Sequence, residues 1–597
     1  MGRIAKLSPA LLAAAAAGGA LWLFGRCCAD AAQVQPAVAE AVARQYLKVR
    51  TGRFEQVSLL NDSRVLTKGA AECTPYYIYG TKRGGFVIVA GDDRLQPVIG
   101  WAPEGSGFSG GTVPDNMASW LDMWGGIVDD IRSGRLSAQS DASRGWEEIY
   151  SGCRMSYYNH SKVLETAAWD QEAPYNILCP NGSMAGCVAV SASIVMRYHK
   201  WPQAGSGVLP GYEYADADGN NQSLEPITLG HTYDWGNMPL MVDDATDASA
   251  LEAVAQLLLE TGVMVRSHYS PTGTLASVED LYDGHTTYYG YDAGAIRLSH
   301  RFYNNDEWCA LLVDNIDTTG PLVYTANNGT SSHAFVVDGY SGSNQFHINW
   351  GWGGRGNGFF TMPDFARYTE THTAIFNLKP DAGGTVPDDL LITSNGASIG
   401  LVSSETEFRR EYPFGVRCTY LVNASKRPFV GELVLAVKHR DGTIGEILDS
   451  DQLTLRPRTG YQMNYSGCTI HEAILPGDCI CLWYRSAVTP EWTFIHADIE
   501  RGDAAQIPIA DAESLEEATS LLYTAESGMI EITTKPDAEW ALQDEWGAPC
   551  AWGASFEDGL LTIDARQYKK GSYQLTLTKG DDVKTVELVF GSKKAGK

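Results

Sequence analysis

The stretch Gly186-Cys187-Val188-Ala189-Val190-Ser191-Ala192-Ser193-Ile194-Val195-Met196-Arg197-Tyr198-His199-Lys200-Trp201-Pro202 decides how this chain is read. Small residues precede it, Asn181-Gly182-Ser183-Met184-Ala185. From Val188 to Tyr198 the run is largely apolar and free of Gly and Pro, and it stops at Trp201-Pro202. That pattern predicts a buried helix with Cys187 at or near its first turn. Free N–H groups and the positive end of the helix dipole favour a thiolate there, so Cys187 is a candidate nucleophile. The plainer alternative is a small buried thiol in a core helix.

A cysteine nucleophile needs a base, donors aimed at an oxyanion, and a group that orients the base. Candidates follow in chain order. Trp169-Asp170-Gln171 lies before the cysteine helix. Downstream, His333 to Gly339 and Gln345 to Trp350 alternate as strands around Ser341-Gly342-Ser343-Asn344, a predicted hairpin. His333 begins the first strand and Asn349-Trp350 ends the second, so both fall at the open end. Neighbours on a strand point to opposite faces, so only one of Asn349 and Trp350 can face His333. The Gly351 to Gly358 stretch lets another backbone or a ligand approach closely. His199 and His347 read as structural. Asp216-Ala217-Asp218-Gly219-Asn220 resembles the start of a calcium loop, but its Gly is early and a hairpin turn fits better. No H-E-x-x-H and no paired C-x-x-C occurs, so neither metal nor cofactor is expected.

Before this region, about Gln33 to Gly152 reads as one unit. Ala37 to Val49 is a predicted amphipathic helix; Pro75 to Tyr79, Gly85 to Ala90 and Pro97 to Trp101 are predicted strands. Val113-Pro114-Asp115 opens a helix with Met117, Trp120, Leu121, Trp124 and Ile127 at helical spacing, ending near Gly134. Ser137 to Gly145 is polar and reads as a linker. Gly107-Phe108-Ser109-Gly110-Gly111 formally matches a nucleophile elbow but lacks the helix that must follow, so it reads as a turn. After Pro380, Asp381 to Pro387 reads as a linker. Leu390 to about Ile509 reads as an immunoglobulin-like sandwich of short strands. Asp511 to Leu522 looks helical, and a last β unit runs from about Tyr523 to Phe590.

Composition bounds the partners. The 597 residues carry a net charge of -27, which argues against nucleic acid and anionic membranes. Arg3 and Lys6 followed by an apolar run, Leu11 to Phe24, and Ala29-Asp30-Ala31 read as an export signal, with no other run long enough to span a bilayer. The chain is therefore expected to be secreted or at the cell surface. Beyond the signal the cysteines are sparse and irregular, which excludes a disulfide scaffold.

These motifs together resemble the streptopain-type secreted cysteine peptidases, relatives of papain. The resemblance rests on Trp169-Asp170-Gln171, Gly186-Cys187-Val188-Ala189, His333 to Gly339, and Asn349-Trp350-Gly351-Trp352-Gly353-Gly354; Gly85 to Asp93 is similar to that family's propeptide. It implies Cys187 as nucleophile, His333 as general base and Gln171 as oxyanion donor with the Cys187 N–H. Asn349 or Trp350 would orient the imidazole, and Gly186, Ser332 and Trp352 would line the substrate cleft. Covering about Ala37 to Pro380, it implies an α+β, two-lobed papain-like domain at 156–380 behind an inhibitory propeptide at 32–155; the chain's own pattern adds a signal at 1–31 and β modules at 388–509 and 510–597. The last of these is a candidate sorting or surface module. Protein and peptide substrates, an apolar preference two residues before the cut, and the chain's own propeptide as intramolecular inhibitor follow from it. The propeptide cut is expected between Arg144 and Lys162. Two rivals remain: an inactive surface binding or adhesion protein, and an acyltransferase using the same pair.

Overall fold

The computed structural model describes residues 33–590, apart from 63–73, 107–112, 140–141, 152–160, 328–331, 343, 370, 394–399, 406–407, 409, 473, 475–476, 500–503, 510–518, 525–528, 536–537, 555–559 and 581. The export signal and the Gly107 to Gly111 turn thus lie outside the described residues. The chain forms two compact units, Met1–Thr385 and Val386–Lys597, parting inside the predicted linker.

In the first unit, helix α1 (Pro36–Thr51) precedes strands β1 (Val57–Asp62), β2 (Tyr76–Thr81), β3 (Phe86–Ala90) and β4 (Val98–Ala102), then α2 (Asp115–Arg132) and α3 (Ala142–Ser151). Strand β3 is buried throughout because helices and neighbouring strands cover it, as a continuous apolar run requires. The helical spacing read in α2 holds: Met117, Trp120, Leu121, Trp124 and Ile127 are all buried. The predicted linker is corrected in part. Ala142–Ser151 is a helix whose Trp146 is buried and donates its indole N–H to the Leu95 carbonyl at 2.9 Å. A polar composition concealed one inward edge.

The peptidase-like part follows as β5 (Ser161–Val163), α4 (Cys187–His199), β6 (Val208–Leu209), β7 (Tyr212–Ala215), β8 (Asn221–Leu224), β9 (Ile227–Thr228), α5 (Ala248–Met264) and α6 (Val278–Tyr288). Then come β10 (Ile296–Ser299), α7 (Asn305–Thr318), β11 (Leu322–Asn327), β12 (Ser332–Ser341), β13 (Gln345–Asn349), β14 (Gly358–Thr361), α8 (Ala366–Thr369) and β15 (Thr373–Phe376). Strands β7 and β8 form a hairpin, with Asp216 Oδ1 accepting the N–H groups of Asp218 and Asn220. The hairpin reading of that loop is therefore the correct one.

The two parts are not beads on a string. Their strands make one 11-stranded sheet in the order β1-β2-β3-β4-β14-β13-β12-β11-β15-β10, with β5 added on β12. The junction is β4 on β14, antiparallel, with Phe359 opposite Trp101 and Phe360 opposite Gly100. Trp101 stacks on Phe359 at 5.0 Å. Gly100 is required there, since a Cβ would meet Phe360 Cδ1 at 2.9 Å. Beside the junction, buried Gln345 Oε1 accepts three N-terminal donors: Tyr46 Oη at 2.9 Å, Arg50 at 3.0 Å and Trp101 Nε1 at 3.2 Å.

The second unit is all β among the described residues apart from a short 3-10 turn. Strands β16 (Leu390–Ile392), β17 (Leu401–Ser403), β18 (Phe414–Asn423) and β21 (Thr459–Cys468) form one sheet. Strands β19 (Phe429–Lys438), β20 (Ile444–Leu455), β22 (Cys479–Ser486), β23 (Thr493–Phe494) and β24 (Gln506–Pro508) form another. One core takes Val416 and Leu421 from the first and Leu433, Leu435 and Leu482 from the second. A further core joins β26 (Met529–Thr533) and β29 (Leu560–Asp564) with β27 (Glu539–Asp544), β28 (Pro549–Ala554), β30 (Gly571–Lys579) and β31 (Asp582–Phe590), and β25 (Ser520–Thr524) pairs along β26. The helical reading of Asp511 to Leu522 is overturned where it can be seen: Ser520–Thr524 pairs as a strand with Met529–Thr533. Its earlier part, 511–518, lies outside the described residues.

Replacing Gln345 by Leu should destabilise the first unit by about 2–4 kcal/mol, because two buried donors, Tyr46 and Trp101, and the half-buried Arg50 guanidinium lose this acceptor. Urea unfolding of the full chain checks this, and a loss no greater than that of Tyr46→Phe would contradict it.

Candidate active site

Cys187 opens α4, as the sequence predicts. The helix is buried nearly all round, packing Val188, Val190, Ile194 and Val195 into one core, while Ser193 Oγ meets Thr261 Oγ1 of α5 at 2.8 Å. Gly186 fixes the entry to this helix. Its φ is 94°, and a Cβ would meet Thr274 Cγ2 at 2.9 Å. Thr274 Oγ1 in turn donates to the Met184 carbonyl at 2.7 Å. The loop before the cysteine is thereby held at both ends.

The Cys187 sulfur accepts the Ala334 N–H at 3.5 Å. Its thiol is nonetheless pushed above its ordinary value by burial, against which the N–H groups of Ala334, Val188 and Cys187 itself act. The residue keeps some exposed surface, but the crowding of protein around the sulfur outweighs the helix end. The expected depressed pKa is thus not a property of this form of the chain. A helix terminus alone does not supply a counter-charge, and no imidazolium faces the sulfur.

His333 stands on β12, whose side chains divide between two cores. Ala334 and Val336 face the core containing α4; Phe335 and Val337 face the core shared with α1 and α2. His333 falls on the Phe335 side. It lines a small cavity with Phe335 and His372, closed by Asn116, Ser119, Trp120 and Met123 of α2. Burial lowers its pKa, with Asp115 acting in the opposite sense. Among the described residues no hydrogen bond joins His333 to Cys187. The structure sets the Cys187 sulfur against the Ala334 N–H while His333, one residue earlier on the strand, turns to the opposite face.

The hairpin is present, β12 on β13, but with an irregularity between Val337 and Gly339. Asn349 lies opposite Val336, and His333 runs past β13 to pair with Ala326 of β11. Asn349 and Trp350 therefore serve different faces. Asn349 donates to Thr166 Oγ1 at 3.1 Å and the Ala167 carbonyl at 2.9 Å, and accepts the Gly351 N–H at 3.2 Å. It pins the first segment of the peptidase part. Trp350 is fully buried on the other face, edge-on to Phe335 at 4.9 Å and to Phe360 at 5.0 Å, with Nε1 on the Gly356 carbonyl at 3.0 Å.

Gln171 is buried, and its carbonyl accepts the Ala185 N–H at 2.9 Å, two residues before Cys187. The Gly353 N–H donates to the Trp169 carbonyl at 3.0 Å, and Arg355 pairs with Asp170 at 3.3 Å, so the Gly-rich loop docks on the Gln171 segment. Trp352 is buried beneath the Arg355 guanidinium, 5.6 Å from its ring. Ser332 is exposed at the start of β12. His347 sits 2.5 Å from the buried Asp338 carboxylate, and His199 is half-buried near the end of α4, with burial lowering its pKa.

Sequence reasoning missed the α2 residues that close the cavity. Asn116 Nδ2 donates to the Trp350 carbonyl at 2.6 Å, and Trp120 packs edge-on to Phe335. The spacing of Asn116 and Trp120, four apart on one helix face, was a legible signal of a shared contact. It missed His372 as well, since a lone histidine before a short strand carries no pattern.

Residues 169–360 match the Peptidase C10 family and residues 31–125 the Spi protease inhibitor family. The chain is similar to the thiol protease/hemagglutinin PrtT of Porphyromonas gingivalis, 27% identical over 331 residues, 51% of this chain and 37% of that protein. It is similar to streptopain of Streptococcus pyogenes, 27% identical over 305 residues, 48% of this chain and 73% of that one. Among solved structures, a fragment of prointerpain A from Prevotella intermedia aligns at 23% identity over 54% of this chain and 99% of its own, with a TM-score of 0.44. The alignment to the hemagglutinin-type relative thus spans little more than a third of that protein.

Burial holds His300 and His372 down to about 3, and His199 and His285 to about 4. An unfolded chain takes up these protons near pH 6.5, the folded one only well below that. Their contribution to stability is therefore whole above pH 6.5 and is lost as pH falls toward 4, by roughly 3 kcal/mol for each of the two lowest. The melting temperature of the full chain should fall steadily from pH 7 to pH 4, and His372→Phe should flatten part of that slope. Calorimetry across the pH series checks it; a level profile would contradict it.

Proposed function

We propose that this chain, which belongs to the streptopain-type Peptidase C10 family and carries an Spi-type propeptide region, is the precursor of a cysteine endopeptidase. The observation that carries the reading is the division at β12: Cys187 is held at the Ala334 N–H, while His333 is turned to a cavity that helix α2 closes. That is an inhibited arrangement of a competent residue set. Removal of α2 opens the cavity and frees the first residues of β12 to carry the imidazole to the sulfur.

In the matured form the Cys187 thiolate attacks the scissile carbonyl carbon, and the oxyanion takes N–H donors from Cys187 and Gln171. The His333 imidazolium protonates the departing amine, leaving a thioester on Cys187. Water then attacks the thioester, His333 takes its proton, and the acid product leaves with the thiolate restored. Trp350 shares the face on which His333 now stands, and Asn349 the face it must reach, so Asn349 is the better candidate to orient the imidazole after activation.

The domain plan reads as an export signal at 1–31, a propeptide at 32–155, a papain-like peptidase domain at 156–380, an immunoglobulin-like module at 388–509 and a last β module at 510–597. Strand β5 pairs with β12, and Lys162 Nζ donates to the Ile316 carbonyl at 3.0 Å, so the activating cut falls between α3 and β5. Export implies a secreted or cell-surface enzyme acting on proteins and peptides. No helix among the described residues is long and apolar enough to cross a membrane.

Cys187→Ala should leave a full-length chain that neither processes itself nor takes up a thiol-reactive peptide inhibitor at this position; self-cleavage of that variant at the wild-type rate would contradict the assignment. Truncation should be made after Thr385, because the Asp292 carboxylate accepts the Ala382 N–H at 2.8 Å and the Gly384 N–H at 3.2 Å. That shortened chain should still hydrolyse small peptides, and an inactive but folded truncation would show that the β modules complete the cleft.

A further inference from the structure

A row of side-chain hydrogen bonds runs inward from Asn349. Its Nδ2 donates to the Ala167 carbonyl at 2.9 Å and to Thr166 Oγ1 at 3.1 Å. Thr166 Oγ1 donates to Asp338 Oδ2, and Asp338 Oδ1 lies 2.5 Å from His347 Nδ1. Asn349 and Asp338 are buried, while Thr166 and His347 are half-buried.

This row lies on the Cys187 face of the sheet. Asn349 stands opposite Val336, and residues opposite one another on paired strands share a face. Val336 packs in the core that holds Val188 and Val190 of α4. Gly351 lies against α4 too, since a Cβ there would meet Val190 Cγ1 at 3.1 Å. It is the face on which His333 must arrive to meet the sulfur.

The donor and acceptor roles along the row are fixed. A backbone carbonyl only accepts and a backbone N–H only donates. The Ala167 carbonyl therefore takes the amide nitrogen of Asn349, and the Gly351 N–H takes the amide oxygen at 3.2 Å. The Thr166 hydroxyl has one proton, and the Asp338 carboxylate takes it. Toward Asn349 the hydroxyl must then accept; turned the other way, it would set its proton against an amide N–H. Asp338 lies two residues beyond Val336 on β12, away from Ala334, whereas Gly351 continues β13 toward the Ala334 end. The amide nitrogen thus points inward along the strands. The oxygen points to the strand end, where the Ala334 N–H meets the Cys187 sulfur. That oxygen keeps a second lone pair beyond the one given to Gly351.

We propose that Thr166 and Asp338 are positioning residues of the peptidase. Asp338 fixes the Thr166 hydroxyl, and the hydroxyl fixes the Asn349 amide. Asn349 Oδ1 is thereby aimed to accept the His333 ring N–H that faces away from the sulfur once the imidazole has arrived. The inference rests on the reading of Asn349 under the proposed function. It also gives a task to the stretch between β5 and Trp169. Strand β5 pairs with residues 339–341 of β12, and the Leu164 N–H donates to the Asp338 carbonyl at 2.8 Å. Thr166 is therefore delivered to Asn349 by the residues that follow the activating cut.

Kinetics on the matured enzyme test it. Variant full chains are matured with immobilised wild-type enzyme, and their active sites are counted with a thiol-reactive peptide inhibitor. Thr166→Val keeps the shape and loses the hydroxyl, so kcat should fall about tenfold or more with KM within about twofold. Thr166→Ser should recover most of that loss. Asn349→Ala should lose at least as much, and Thr166→Val should cost nothing further in its background, since both act through one amide. Asp338→Ala, which releases the Thr166 proton, should repeat the kcat loss, and it carries the test if Thr166→Val gives no folded enzyme. An undiminished kcat in Thr166→Val or Asp338→Ala, or losses that add in the double variant, overturn the inference and leave the peptidase reading intact. An Asn349→Ala enzyme as active as wild type overturns the orienting role of Asn349, and the inference with it. A wild type that hydrolyses no peptide sinks the peptidase reading itself.

Discussion

Everything at this site depends on the two-residue period of one strand. β12 has helix α4 on one face and the propeptide core on the other, and His333 and Ala334 are neighbours on it. Side chains one apart on a strand cannot share a face. The Ala334 N–H reaches the Cys187 sulfur, so His333 is committed to the opposite side while the strand stays regular up to its first residues. The separation of Cys187 from His333 in this structure is therefore a matter of which face of β12 each one meets.

What keeps the strand in that register is the covering of its His333 face. Helix α2 lays Trp120 on Phe335, Trp350 and His372, and clamps the Trp350 carbonyl through Asn116. The same helix is tied to the sheet that β4 extends across β14, and the Gln345 carboxamide oxygen gathers Tyr46, Arg50 and Trp101 at that seam. The contacts on the His333 face and those at the sheet edge are thus made by separate elements of the N-terminal part, α2 on one side and α1 with β4 on the other. The lowered pKa of His333 and the raised one of Cys187 share a cause, burial, and both oppose formation of the ion pair that catalysis requires.

Much of the fold was legible. Apolar spacing located α1, α2 and α4, and alternation located β12 and β13, because those elements bury one continuous face and their composition is locally consistent with it. The polar stretch at Ala142–Ser151 misled because a single inward Trp146 suffices to dock a short helix, and Ser520–Thr524 misled because charged residues before it suggested a helix. Both errors are cases where tertiary partners override a local pattern.

By itself the sequence determined the inventory and its local setting: a cysteine at a helix start behind a loop of small residues, a histidine at a strand start, a glutamine upstream, and an N-terminal region of similar character to an inhibitor. Those are properties of short segments, fixed by periodicity and by backbone conformations that only certain residues adopt. Tertiary structure alone decided that β4 would join β14, that His333 would look toward Trp120, and that Asn349 would be bonded to Thr166 and Ala167 while Trp350 packs on Phe335. Such pairings join residues far apart in the chain, and no local propensity encodes which distant surface a strand edge or an aromatic slot will meet.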